Sequence, residues 1–142
     1  LQGAPRREGP GRDRVRRERL LSRRSAEMKI VVCEDDFLIL MNTAEMLREL
    51  GHDAEETADG RSALEALARG GVDILLTDVG LPDMSGIDLV REARATRPGL
   101  PVIFASGLGE VEGFDGEAGI VSVNKPYTMP ALAAAIVSGS DA

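Results

Sequence analysis

The 142-residue chain has few of the residues on which many common sites and stabilising links depend. It contains one cysteine, Cys33, one histidine, His52, and no tryptophan. A single cysteine cannot form an internal disulfide and has no companions for a metal site, so we interpret Cys33 as a thiol of the hydrophobic core. His52 lies next to Gly51 in a predicted turn, which indicates a surface or structural position.

Long apolar segments are also missing from the sequence. No run of about 18 apolar residues appears, and no charged start is followed by an apolar stretch and a small-residue cleavage site. The sequence therefore predicts a soluble, cytoplasmic protein without a membrane span. Its 43% hydrophobic content is enough for the core of a single domain.

Charge is unevenly distributed along the chain. Residues 1–29 hold ten Arg and Lys against four Asp and Glu, whereas residues 30–142 hold seven against twenty. We expect residues 1–27 to form a basic extension, disordered or partly helical, before a domain spanning residues 28–138 and a tail at 139–142. The extension fits an expression leader or an upstream-translated tail better than a nucleic-acid-binding arm, and the acidic domain would be repelled by phosphate.

From Lys29 onward, short apolar runs alternate with segments of helical periodicity, which predicts an α/β fold with a parallel sheet. The predicted strands cover residues 30–33, 54–57, 72–77, 102–105 and 120–123. The predicted helices cover residues 37–50, 61–69, 85–96 and 128–137. Residues 107–119 contain five glycines and four acids, so a helix between the last two strands would be short or degenerate.

Polar residues follow four of the predicted strands at the point where each strand ends. In a parallel α/β sheet these ends lie at one edge, so the side chains are expected to converge. Crowded carboxylates repel one another unless a cation lies among them, and such oxygen ligands suit Mg²⁺. The alternative is a solvated acidic turn at a helix start, where the helix dipole favours acids. The residues concerned are Glu34, Asp35, Asp36, Asp78, Ser106 and Lys125.

Lys125 stands out because residues 30–142 contain six arginines and no other lysine. A compact ammonium on a flexible stem can reach a phosphoryl oxygen as a point charge. This favours a phosphate-binding role, although a lone surface lysine is the alternative.

Three segments and one serine carry a family resemblance. The segments are VVCEDD at 31–36, LTDVGLPDMSG at 76–86 and KPY at 125–127, with Ser106 between the last two. In this order and spacing they resemble the receiver domain of response regulators, over residues 29–137. The resemblance implies a flavodoxin-like, doubly wound, five-stranded parallel sheet of order 2-1-3-4-5 with helices on both faces.

The resemblance also implies a function in bacterial two-component signalling. A histidine kinase or a histidine phosphotransfer protein would pass a phosphoryl group to the domain in a Mg²⁺-dependent reaction, which would switch partner interactions. The domain would act as a signalling module that catalyses only its own phosphorylation and dephosphorylation. We expect no DNA-binding output domain in this chain. The sequence leaves open whether it is a free-standing regulator or the carboxyl-terminal receiver of a hybrid kinase.

The resemblance also implies a role for the individual acidic residues. Asp78 resembles the phosphoacceptor aspartate of the family. Glu34 and Asp35 resemble the acidic pair that holds Mg²⁺ together with Asp78, and Gly80 can offer its main-chain carbonyl to the metal. Asp36 matches no family ligand and is expected in the first turn of the first helix.

The remaining site residues include one departure from the family pattern. Lys125 resembles the phosphate-binding lysine, and its bond to Pro126 is a candidate cis peptide. Ser106 resembles the switch hydroxyl. The position three residues before the lysine, which the family usually fills with an aromatic switch residue, is Ser122. Ser122 therefore lacks the ring on which the usual switch mechanism of the family depends.

Two other functions are alternatives to phosphoacceptance. A phosphatase of the haloacid-dehalogenase type would carry an Asp-x-Asp nucleophile motif after its first strand, and this motif is absent there. A degenerate receiver that acts only as a protein interaction module would have lost the acids or the lysine. This chain keeps them and lacks the switch aromatic.

Overall fold

The computed structural model describes residues 27–106 and 119–140. The strands are β1 (Lys29–Cys33), β2 (Asp53–Thr57), β3 (Ile74–Asp78), β4 (Val102–Ser106) and β5 (Ile120–Asn124). The helices are α1 (Phe37–Glu49), α2 (Gly60–Ala68), α3 (Gly86–Thr96) and α4 (Met129–Ser140). The expectations of a basic extension over 1–27 and of a degenerate helix within 107–119 lie, apart from Glu27 and Gly119, outside the described residues. No helix of the described part is both long and apolar enough to cross a membrane.

The five strands form one parallel sheet in the order β2-β1-β3-β4-β5, which confirms the predicted 2-1-3-4-5 topology. The strongly apolar β3 lies at the centre, and the polar β2 lies at an edge. Cys33 pairs with Thr77, and Asp78 pairs with Ala105. The carboxyl ends of β1, β3 and β4 therefore lie side by side, which brings the residues after them together.

Each face of the sheet packs against a pair of helices. Along β1, Ile30 and Val32 face α1 and α4, whereas Val31 and Cys33 face α2 and α3. This alternation on a strand buried on both sides explains its continuous apolar sequence. Burial raises the pKa of Cys33 to about 11, so it is an un-ionised core thiol, as expected.

Side-chain caps define the helix starts. Asp36 caps α1 by accepting hydrogen bonds from the main-chain N–H groups of Leu38 and Ile39, so it precedes the first turn and does not lie within it. Thr128 caps α4 by accepting a hydrogen bond from the N–H of Ala131. At its other end α1 stops before Gly51, whose φ of 95° suits a residue without a Cβ.

The loop between β3 and α3 is closed by its own main chain. Gly86 N–H donates a hydrogen bond of 2.6 Å to the carbonyl of Val79, and Gly80 forms a bridge with Ser85. A Cβ on Gly86 would lie 2.1 Å from the carbonyl oxygen of Asp78. Glycine is required at this position because the backbone of the central strand passes too close for any side chain.

We expect Gly86→Ala to lower the free energy of unfolding by about 2–3 kcal/mol, because the strand or the loop must shift to admit a methyl group. Gly80→Ala is the matched control in the same loop, since nothing lies within 4 Å of a Cβ built there. Its effect should be within about 1 kcal/mol. Urea denaturation of both variants checks this, and equal losses would contradict the close approach.

Candidate functional site

Three carboxylates meet at the carboxyl edge of the sheet. Glu34 and Asp35 directly follow β1, and Asp78 is the last residue of the neighbouring β3. One carboxylate oxygen from each lies within 4.8 Å of the others. Glu34 is buried, Asp78 is half-buried and Asp35 is exposed. The structure thus brings together the three acids that the sequence singled out.

The buried Glu34 is held by two hydrogen bonds. Its Oε1 accepts from Lys125 Nζ at 2.7 Å, and its Oε2 accepts from the N–H of Asp36 at 3.0 Å. Burial raises the pKa of Glu34, and these two bonds partly offset the rise. The bonds from Lys125 and Asp36 thus favour the charged form of Glu34, which burial disfavours.

Lys125 bridges two of the acids. Its Nζ lies 2.7 Å from Glu34 Oε1 and 3.2 Å from Asp78 Oδ2. Burial alone would lower the pKa of Lys125, but the hydrogen bonds and charges of Glu34 and Asp78 outweigh it and raise the pKa. The side chain is therefore a charged ammonium. The peptide bond between Lys125 and Pro126 is cis.

The Asp78 carboxylate has a fixed orientation. Its Oδ1 accepts a hydrogen bond of 2.8 Å from the N–H of Val79, and its Oδ2 faces Lys125. Gly80 follows in the loop, where the closing hydrogen bond uses the carbonyl of Val79 instead of that of Gly80. One oxygen of Asp78 is thus held by main chain while the other lies against a positive charge.

Ser106 and Ser122 lie on the neighbouring strands β4 and β5. Ser106 ends β4, one residue beyond the Ala105 that pairs with Asp78, and it is buried. The main-chain N–H of Lys125 donates to its carbonyl at 3.0 Å. Ser122 lies on β5, is exposed, and lines a cavity of about 480 Å³ between β5 and α4. The side chain at this position is therefore small and solvent-accessible.

Sequence reasoning missed one hydrogen bond of this region. Tyr127 and Thr43 share a hydrogen bond between their hydroxyls, which ties the segment after Lys125 to α1. Burial raises the pKa of Tyr127. The residues lie 84 positions apart, so no local spacing could have indicated the contact.

The charges of the cluster do not balance. Within the described residues, Lys125 is the one cation paired with these acids, so a single positive charge faces three carboxylates. Oxygen donors in this number, with one of them solvent-exposed, fit a hard divalent cation that keeps part of its water shell. The donor set therefore fits Mg²⁺.

The family model described as response regulator receiver domain matches residues 30–137. Among curated proteins, the chain is 32% identical over 117 residues to the sensor kinase CckA of Brucella abortus, covering 79% of this chain and 12% of that protein. It is 37% identical over 111 residues to the sensory transduction protein RegX3 of Mycolicibacterium smegmatis, covering 75% and 48% respectively. The chain thus spans less than half the length of these relatives.

Solved structures agree with these matches. The receiver domain of the hybrid histidine kinase CckA has a TM-score of 0.68 at 30% identity, covering 79% of this chain and 98% of that one. A CheY-like receiver domain from Methanospirillum hungatei has a TM-score of 0.73 at 28% identity, covering 82% and 95%. With its sheet order and the three matched segments, the chain belongs to the response regulator receiver domain family of two-component signal transduction.

Proposed function

We propose that this receiver domain accepts a phosphoryl group on Asp78 from a histidine kinase or a histidine phosphotransfer protein, in a Mg²⁺-dependent reaction in the cytoplasm. The observation that carries the proposal is the position of the Asp78 carboxylate. It ends the central strand, with Oδ2 3.2 Å from Lys125 Nζ and within reach of two further acids.

In the proposed reaction, Asp78 Oδ2 attacks the phosphorus of a phosphohistidine. A new O–P bond forms while the P–N bond breaks, and its electron pair stays on the imidazole nitrogen, which then takes up a proton. Val79 N–H keeps the carboxylate oriented through Oδ1. Lys125 offers its ammonium to the equatorial phosphoryl oxygens, so positioning and charge supply the catalysis.

The metal would be held by Glu34, Asp35, Asp78 and the main-chain carbonyl of Gly80. When bound, Mg²⁺ offsets negative charge on the transferred phosphoryl group. Later hydrolysis by water would release phosphate and regenerate the Asp78 carboxylate. The domain thereby controls the lifetime of its own signal without a separate substrate.

The start of α1 supports docking of a phosphodonor protein. Phe37 and Leu38 are 68% and 64% exposed, and they lie directly after the acidic turn. Large apolar side chains left in water beside a polar site favour contact with another protein. These residues are therefore suited to meet an apolar surface of the donor protein.

A receiver that only binds partners is the second candidate, and Ser122 is the observation that favours it. In the proposed switch, Ser106 would be drawn to the phosphoryl group by a charge-assisted hydrogen bond. Ser122 has no ring to turn inward in response. The two candidates differ in whether Asp78 is phosphorylated at all.

Incubation with acetyl phosphate and Mg²⁺ should add one phosphoryl group that hydroxylamine removes, because an acyl phosphate is susceptible to that nucleophile. Asp78→Asn should abolish the addition. Asp88→Asn, which changes an exposed acid on α3, is the matched control and should be phosphorylated like the wild type. Intact-mass spectrometry checks all three proteins, and addition to the Asp78→Asn protein would show that the nucleophile is another residue.

Saturating Mg²⁺ should raise the free energy of unfolding by about 2–3 kcal/mol at a hundred times the dissociation constant, because it relieves repulsion in the native state. Asp35→Asn should have opposite effects on the stability of the metal-free protein and on the stabilisation by Mg²⁺. It should stabilise the metal-free protein by removing one like charge, and it should reduce the gain from Mg²⁺ by half or more.

Thermal unfolding with and without Mg²⁺ measures both effects, with Asp88→Asn again as the control. An undiminished Mg²⁺ response in the Asp35→Asn protein would remove Asp35 from the metal site.

A further inference from the structure

The loop after the phosphoacceptor is fastened to a helix outside the site. Asp83 lies in this loop, five residues after Asp78. Its Oδ1 accepts a hydrogen bond of 2.9 Å from the N–H of Gly60, and its Oδ2 accepts one of 3.0 Å from the N–H of Arg61. Both donors belong to the first turn of α2, so a carboxylate from a distant part of the chain caps this helix.

The helix α2 already has a cap of its own. Asp59 is its N-cap residue and accepts a hydrogen bond of 2.8 Å from the N–H of Ser62. Asp83 therefore satisfies two further N–H groups that an ordinary cap leaves to water. The start of α2 is thus capped by two carboxylates, one local and one from the phosphoacceptor loop. Because the local carboxylate already caps the helix, the second indicates a further role.

Packing and charge both support the connection. A Cβ on Gly60 would lie 2.6 Å from Cγ and Sδ of Met84, so the side chain next to Asp83 lies directly on the helix start. The hydrogen bonds from Gly60 and Arg61 lower the pKa of Asp83, which stays ionised at neutral pH. The tip of the loop is thus held by two bonds and one apolar contact.

The base of the same loop reaches the phosphoacceptor. Gly86 N–H donates to the carbonyl of Val79 at 2.6 Å, and Val79 N–H donates to Asp78 Oδ1 at 2.8 Å. Between base and tip lies Gly80, whose carbonyl belongs to the proposed metal site. A loop fixed at both ends has few alternative conformations. Restricting the loop in this way favours a single placement of Asp78 and Gly80.

We propose that Asp83 is a positioning residue of the phosphoacceptor site, which holds the 79–86 loop against α2 so that Asp78 and Gly80 keep the geometry for Mg²⁺ and phosphoryl transfer. The inference rests on the proposed function for its chemistry. Asp83 itself is not proposed to contact the metal or the phosphoryl group. It acts through the placement of the loop.

Three variants separate positioning from simple helix capping. Asp83→Ala removes both bonds to α2. Asp83→Asn keeps one acceptor oxygen and should restore part of the wild-type behaviour. Asp59→Ala removes the local cap of the same helix and leaves the loop fastened, so it is the matched control for lost α2 stability.

Two measurements are made on the full chain: amide hydrogen exchange of Gly86 in metal-free protein, and Mg²⁺ affinity by calorimetric titration. Asp83→Ala should accelerate exchange at Gly86 and weaken Mg²⁺ binding roughly fivefold, the size expected when a capping carboxylate is lost. Asp59→Ala should change neither by more than about twofold, although it lowers the melting temperature.

Unchanged Gly86 exchange in the Asp83→Ala protein would overturn the proposal, and so would equal losses of Mg²⁺ affinity in the Asp59→Ala and Asp83→Ala proteins. Failure of the proposed function gives a different result, because wild-type protein would then bind no Mg²⁺ and accept no phosphoryl group. The hydrogen-exchange comparison uses metal-free protein. It therefore shows whether Asp83 holds the loop, whether the proposed function is right or wrong.

Discussion

The bridge formed by Lys125 between Glu34 and Asp78 is the interaction on which the rest of the site depends. Glu34 is buried, and a carboxylate in that position is costly without a charged partner. Lys125 reaches it only because β5, β3 and β1 end at the same edge of the sheet. The strand order is therefore the means by which residues 91 positions apart form a 2.7 Å contact.

The same bridge explains how a chemical change at Asp78 could be felt elsewhere. A phosphoryl group on Asp78 would offer Lys125 stronger acceptors than the carboxylate it replaces. Any shift of Lys125 would then affect the end of β4, because the main-chain N–H of Lys125 bonds to Ser106. It would also affect α1, since Tyr127 is tied to Thr43. Among the described residues, these hydrogen bonds connect the segment around Lys125 to β4 and to α1.

Much of the fold and the acidic cluster could be predicted from the sequence because both follow local patterns. The apolar run before Asp78 marks the central strand, and acids placed after strands mark the ligand edge. The sheet order itself came from the family resemblance, since periodicity indicates only the class. Contacts such as Asp83 with Gly60 could not be predicted, because they join segments more than 20 residues apart through hydrogen bonds that leave no spacing pattern.

In the proposed function Asp78 is the phosphoacceptor, and its negative charge is offset by Lys125 and by a divalent cation held on Glu34 and Asp35. A crystal structure of the protein with Mg²⁺ and beryllofluoride tests it most directly. We expect beryllium bonded to an Asp78 carboxylate oxygen, a fluoride within hydrogen-bond distance of Lys125 Nζ, and a metal ion contacting the acidic cluster directly or through water. Beryllofluoride bound at another residue, or a metal ion away from these carboxylates, would contradict it.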